Sequence, residues 1–175
     1  AILAVNTFRK DSTDHNPLLR ALAIRTMACI QLEQIAEYLL EPLRAGVRDE
    51  DPYVRKTAAL AVGKLYEITP DLVEDQGMIT MLGDLLSDGN PAVVSNSVAA
   101  LEEITKITGK EHLHTRREIM DLLLAAVNEV GEWNRVLIID AIARNTPATS
   151  RDAEFTIERV LGQLSHNNAV VALST

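Results

Sequence analysis

An all-α solenoid of helix pairs, wound as a right-handed superhelix of about ten helices, is the fold this sequence predicts. Three observations predict it. Short phrases recur at helix-pair spacing: Asn16-Pro17-Leu18-Leu19-Arg20, Asp51-Pro52-Tyr53-Val54-Arg55, Asn90-Pro91-Ala92-Val93-Val94 and Asn167-Asn168-Ala169-Val170-Val171. A weaker copy, Glu132-Trp133-Asn134-Arg135-Val136, fills the gap before the last. Counted at the second position, the copies fall at 17, 52, 91, 133 and 168, which gives intervals of 35, 39, 42 and 35. Helical periodicity follows each phrase, and no segment alternates like a strand. A period of about 40 residues of this kind marks a HEAT or armadillo array.

Each element has its own reason. The chain starts as if within a helix, and residues 2–8 are apolar enough to be expected to pack against a further helix before them. Proline is tolerated at the first helical position and pushes the residue before it out of the α region, so Asn16-Pro17, Asp51-Pro52 and Asn90-Pro91 each start a helix. After Pro17, one face carries Leu19, Leu22, Ala23, Thr26, Met27 and Ile30. After Pro52 it carries Val54, Ala58, Ala61, Leu65 and Ile68, and after Pro91 it carries Val93, Ser97, Ala100, Leu101 and Ile104. Small residues at matching places, Ala58 with Ser97 and Ala61 with Ala100, let neighbouring helices approach closely.

A second helix follows each first one. Ile35, Leu39, Leu40, Leu43 and Val47 mark one. Leu72, Ile79, Leu82, Leu85 and Leu86 mark another, opened by Thr69 and Pro70. Ile119, Leu122, Leu123, Ala126 and Val127 mark the third. The fourth carries Phe155, Ile157, Val160, Leu161 and Leu164, after a Thr149 to Asp152 spacing that suits a capping box. No linker is long enough to divide domains. Residues 1–175 therefore read as one domain, truncated at both ends and internal to a longer array, since terminal repeats need polar outer faces.

Composition narrows the function. The hydrophobic fraction is 47% with only 3% aromatic, so Ala, Leu, Val and Ile supply the core. A net charge of −8 argues against nucleic acid and against direct electrostatic membrane binding. One cysteine, Cys29, fits a reducing compartment and allows no intrachain disulfide. No apolar run is long enough to span a membrane.

The residues also resemble a known family. The stretches Leu3-Ala4-Val5-Asn6-Thr7-Phe8, Asn16-Pro17-Leu18-Leu19-Arg20-Ala21-Leu22-Ala23-Ile24-Arg25-Thr26-Met27 and Glu37-Tyr38-Leu39-Leu40-Glu41-Pro42-Leu43 are similar to the amino-terminal trunk of the beta-adaptins. So are Asp49-Glu50-Asp51-Pro52-Tyr53-Val54-Arg55-Lys56-Thr57-Ala58-Ala59, Val73-Glu74-Asp75-Gln76-Gly77, Glu132-Trp133, and Leu164-Ser165-His166 with Ala169-Val170-Val171. Residues 107–117 and 143–151 depart from the pattern, in connectors and helix ends.

The resemblance implies a non-enzymatic scaffold: a large subunit of a clathrin adaptor complex, peripheral on trans-Golgi, endosomal or plasma-membrane coated vesicles. Its implied partners are the second large subunit and the medium and small subunits, with clathrin bound through regions outside this segment. It also implies docking of a GTP-bound Arf-family GTPase on the helix at the start of the chain. Ile2 and Val5 match the apolar contact positions there, and Asn6 lies beside them; burial of Ile2 and Val5 against a preceding helix pair is the alternative reading. An unrelated peptide-binding scaffold, of the nuclear transport or phosphatase type, is the alternative reading.

Chemistry finds little support. His112 and His114 flank Leu113 beside Glu111, but two further zinc ligands are wanting nearby in sequence, and His15 and His166 sit in separate turns. No cofactor is implied. Cys29 is expected to be a buried thiol next to the apolar stripe. Asp49, Glu50 and Asp51 are accounted for by capping and the helix dipole. The glycines are scattered and form no phosphate loop. Trp133 is expected to pack between repeats.

Overall fold

A computed structural model describes residues 2–30, 32–110, 117–144, 149–165 and 167–174. Among these residues the chain is helical and contains no strand, as the periodicity predicts. It forms two compact units, Ala1–Leu113 and His114–Thr175.

Among its described residues the first unit holds seven helices: α1 (Ile2–Asp11), α2 (Pro17–Cys29), α3 (Glu33–Gly46), α4 (Pro52–Ile68), α5 (Pro70–Asp75), α6 (Met78–Leu85) and α7 (Pro91–Thr108). Three start alike. Asn16, Asp51 and Asn90 hold extended backbone, and each side-chain oxygen accepts the N–H two residues on, at 2.9, 2.7 and 2.9 Å. Each cap is itself held from behind. The carboxylates of Asp14, Asp49 and Asp88 accept the N–H groups of Asn16, Asp51 and Asn90 at 2.8, 2.9 and 2.8 Å. The local motif is thus an aspartate, any residue, an Asn or Asp cap, and proline.

Packing follows from those starts. α4 lies between α2 and α7 and packs most extensively on α7. Val54, Ala58, Ala61 and Leu65 are buried on α4, and Val93, Ser97, Ala100, Leu101 and Ile104 on α7. A Cβ on Gly63 would sit 3.3 Å from the Ala100 Cβ, so the absence of that carbon sets how closely α4 and α7 meet. Gly46 does the same for α3: a Cβ there would come within 2.7 Å of Ile24 Cδ1 and 2.9 Å of Ala58 Cβ. The buried Ser97 hydroxyl donates to the Leu82 carbonyl at 2.6 Å and ties α7 to α6.

Two expectations are corrected here. The single helix expected across Leu72 to Leu86 is two, because Gly77 takes left-handed backbone at φ +66° and closes α5 before α6 begins. On α2 the expected stripe is rotated. Ala21, Ala23, Ile24, Met27 and Ala28 are buried, whereas Leu19 and Leu22 are exposed. α2 is apolar almost all round, so periodicity alone does not choose between its two faces, and the α1, α3 and α4 neighbours do.

The second unit holds α8 (Arg117–Ala126), α9 (Glu132–Arg144), α10 (Ser150–Leu161), a 3-10 turn (Gly162–Ser165) and α11 (Ala169–Ser174). Leu123, Leu124, Val127, Ile138, Ile139 and Val171 form its core. α10 opens as expected, with the Asp152 N–H bonded to the Thr149 hydroxyl at 3.2 Å and that hydroxyl bonded to the Asp152 carboxylate at 2.8 Å.

Here the register of the weak repeats is also corrected. The Arg135 N–H bonds to the Gly131 carbonyl and the Ala172 N–H to that of Asn168, matching Arg20 to Asn16 and Arg55 to Asp51. The true starts are therefore 16, 51, 90, 131 and 168, with intervals of 35, 39, 41 and 37. Trp133 then aligns with Leu18 and Tyr53, not with proline, and is 81% exposed, so it does not pack between repeats. The stripe expected on α10 is largely uncovered as well: Val160 is buried, but Phe155, Ile157, Leu161 and Leu164 are exposed. In this unit the first-type helix after α10 is α11, which has six residues and covers little of it.

Candidate functional site

The repeated starts assemble a side-chain ladder in residues 1–113. Four residues after each cap, Arg20 and Arg55 emerge one turn into α2 and α4. Arg20 Nη1 donates back to the carbonyls of Asp14 and His15 at 2.9 and 3.1 Å, which fixes the preceding turn. Its Nε and Nη2 form a fork on the Asp49 carboxylate at 2.8 and 2.7 Å. Arg55 repeats the arrangement, with Nη1 on the carbonyls of Asp49 and Glu50 at 2.8 and 2.9 Å and a fork on Asp88 at 2.7 and 3.0 Å. Planar bidentate pairing of this kind needs arginine.

The electrostatics follow from that geometry. Burial alone would raise the Asp49 carboxyl. The hydrogen bond from Arg20, the Asp51 N–H and the charges of Arg20 and Arg55 outweigh it and hold the group below the usual carboxylate range. Asp88 is likewise held low, by Arg55 and the Asn90 N–H acting against burial. The hydrogen bonds they donate to these carboxylates raise both arginines. The acidic run at Asp49 to Asp51 is therefore more than a cap: Asp49 is a rung joining successive helix pairs. The ladder stops at α7, where Val94 stands in the arginine position and is buried.

The start of the chain is arranged differently from expectation. α1 packs on α2 and α3, and Arg9 lies over the Tyr38 ring at 5.9 Å. Val5 is buried at 1% exposure within this packing, while Asn6 is exposed beside Arg9 and Lys10. Ile2 opens α1, and its side chain lies outside the described residues.

Other candidates fall out of the chemistry. Cys29 is exposed, not buried, and accepts a long hydrogen bond from Lys64 Nζ at 3.8 Å. Aligning the caps of α2 and α4 would have revealed this, since Lys64 stands where Cys29 does, thirteen residues after each cap. His112, His114 and His166 lie outside the described residues. Among the described residues no group of three or more His, Cys, Asp or Glu could hold a metal ion. Nor is any helix among them long and apolar enough to cross a membrane.

The model of the family described as Cnd1, non-SMC mitotic condensation complex subunit 1, matches residues 18–175. The chain is 52% identical over 174 residues to the AP-1 complex subunit beta of Dictyostelium discoideum, covering 99% of this chain and 18% of that protein. It is 52% identical over 175 residues to the AP-1 complex subunit beta-1 of Homo sapiens, again over 99% of this chain and 18% of the relative. The chain thus spans about a fifth of the length of these relatives. Among solved structures, a designed armadillo repeat protein matches with a TM-score of 0.52 at 21% identity, covering 98% of this chain and 79% of the other. That likeness speaks for the fold alone.

Proposed function

Because the chain belongs to the beta-adaptins, and to the family that the Cnd1 model describes, we propose that it is an internal part of the trunk of a clathrin adaptor's beta subunit. Its role there is to hold partners, not to turn over a substrate. The other large subunit and the medium and small subunits assemble on the longer polypeptide, which joins coated vesicles peripherally. Clathrin is engaged by regions outside these residues. The observation that carries the reading is identity at half of all positions along essentially the whole segment. The Arg–Asp ladder supports it mechanically, because forks between successive repeats resist bending and keep distant partner sites at fixed spacing.

We also propose that the outer face of α1 docks a GTP-bound Arf-family GTPase. Asn6 supplies a direct contact, Ile2 an apolar one, and Val5 acts from beneath by holding α1 on α2 and α3. Small interfaces concentrate their energy in a few anchors, so charging this face should be costly.

The test is co-expression of the full polypeptide carrying this segment with the other three adaptor chains, followed by titration with GTP-loaded Arf-family protein. Co-elution of the four chains supports the assembly reading. Recovery with karyophilic cargo or a phosphatase subunit instead refutes it. In the assembled complex, Asn6→Asp should weaken GTPase binding by about tenfold, or roughly 1.4 kcal/mol. Unchanged affinity would remove the α1 assignment and leave the scaffold reading standing. Val5→Asp is a poor probe, since it places a charge in the core.

A further inference from the structure

We propose that the paired outer faces of α2 and α4 form a docking groove for an acidic amphipathic helix of a partner protein. This inference does not depend on which complex the chain joins. The two helices start from equivalent caps and are bridged at equivalent heights. The Arg20 fork on Asp49 links α2 to the turn before α4, and the Lys64 to Cys29 contact at 3.8 Å joins their outer faces at the far end. Side chains at matching distances from Asn16 and Asp51 therefore stand side by side on one surface.

That surface is apolar where water would ordinarily demand polar groups. Leu18 and Leu22, one turn apart on α2, are 60% and 57% exposed. Tyr53 and Leu60 on α4 are 41% and 42% exposed. Four large apolar side chains thus stand exposed on two adjoining helices, an arrangement of the kind that marks an interaction site. The spacing at i and i+4 on α2 is what the apolar stripe of an incoming helix meets in a groove.

Charge identifies the partner. The whole chain is −8, yet α2 and α4 between them contain one acidic residue, Glu67. Arg20 and Arg55 are consumed by the ladder. Arg25, Lys56 and Lys64 remain, and none of them makes an ion pair among the described residues; Lys56 instead caps the Tyr53 ring at 4.7 Å. The patch is thus basic on an acidic protein and complements a ligand carrying both leucine-like side chains and carboxylates. From the Leu18 and Tyr53 level to the Cys29 and Lys64 level is eleven residues of helix, or about 16 Å at 1.5 Å per residue. A partner helix of about three turns fills that length. Three cations are too few to hold an anionic membrane against the repulsion of the remaining surface, which favours the peptide.

The experiment uses the 175-residue chain and two synthetic peptides of about fifteen residues, both with leucines at helical spacing, one flanked by glutamates and the other by lysines. Fluorescence anisotropy should show saturable binding of the glutamate peptide on the order of 10 μM, weakening with salt. Leu22→Asp and Leu60→Asp should each weaken it at least about tenfold, as should the double variant Lys56→Glu with Lys64→Glu. All of these positions lie at the surface, and circular dichroism checks that the variants keep their helix content. Cys29→Ser should bind as the parent does. Equal binding of the lysine peptide overturns the proposal. So does no saturation by the glutamate peptide up to about 1 mM, or indifference to Leu22→Asp and Leu60→Asp in folded protein. Vesicles of anionic phosphatidylserine competing for the patch as well as the glutamate peptide would also overturn it.

Discussion

Residues 1–113 and residues 114–175 use one backbone plan with different cross-links. In the first unit, Arg20 and Arg55 reach forward to carboxylates 29 and 33 residues away, so each rung is an ion pair. In the second, Arg135 occupies the same place after Gly131 and meets an amide: its Nη1 lies 3.3 Å from Gln163 Oε1 and its Nη2 3.3 Å from the Val130 carbonyl. Gln163 passes the link on to Asn128 at 2.8 Å. The reach back to the preceding turn survives in both units, but the charge of the forward contact does not. The backbone bond that starts the helix and the side-chain bond that joins repeats are thus separable. Val94 makes the same point inside the first unit: α7 starts normally although its arginine position holds a buried valine. An arginine there without an acid would be a buried charge with nothing to meet, which is far costlier than a valine.

The largest expected contrast lies in the cores. Leu101 is fully buried on α7, so Leu101→Ala should destabilise the first unit by about 2–5 kcal/mol. Leu161 on α10 is exposed, and Leu161→Ala should change stability by no more than about 0.5 kcal/mol. Amide hydrogen exchange, which reads each unit separately, checks both. Comparable losses would mean that the α10 face is covered in solution and would erase the contrast.

Next come the cross-links. Arg55→Met removes a fork in which both side chains are mostly buried and should cost about 2 kcal/mol, the ordinary worth of hydrogen bonds to a charged group. Arg135→Met removes longer bonds to neutral acceptors and should cost about 1 kcal/mol or less. Urea titration of the two variants measures the difference. Equal effects would show that charge adds nothing to the rung. A double-mutant cycle of Arg55 with Asp88 would sharpen the result by isolating the pair.

The smallest effect is a pH dependence in the first unit. Asp49 and Asp88 have folded values below the ordinary 3.8. Their contribution is present above that value and is lost as pH falls through the folded values, so exchange protection in residues 1–113 should drop below pH 3.8. The buried Tyr66 hydroxyl moves the other way. Burial first, then its 2.7 Å hydrogen bond to Glu74, pushes it from 10.0 to about 12. Its stabilisation is complete below pH 10.0 and is lost as pH rises towards about 12. Tyrosinate absorbance against pH should show a component that titrates late, towards about 12, and Tyr66→Phe should abolish it.

Much of this architecture is legible without coordinates because it is local. Asn16, Asp51 and Asn90 cap their helices with bonds spanning two residues, so proline and its neighbours suffice to place each start. Val54, Ala58, Ala61 and Leu65 read as core because their spacing of three and four residues puts them on one face of α4, apart from Arg55, Lys56 and Lys64. The family, too, is carried by stretches such as Asp49 to Ala59 that stand in the chain letter by letter. Ile2, Val5 and Asn6 are legible as neighbours on one helix, but the burial of Val5 is not, because it depends on α2 and α3.

What needed tertiary structure has one physical cause: the deciding partner is far away in sequence. Leu22 and Met27 are equally apolar, and only the packing of α1, α3 and α4 determines that Met27 is buried and Leu22 faces water. Asp49 looks like half of a cap until Arg20 is seen to reach it across a helix pair. Trp133 looks like core until the bond from Arg135 to Gly131 shifts its repeat by one residue and turns the indole outward. By itself the sequence determined where helices begin, because a cap is settled within a single turn. Which face each helix hides, and what joins one pair to the next, was decided by neighbours that only the folded chain brings together.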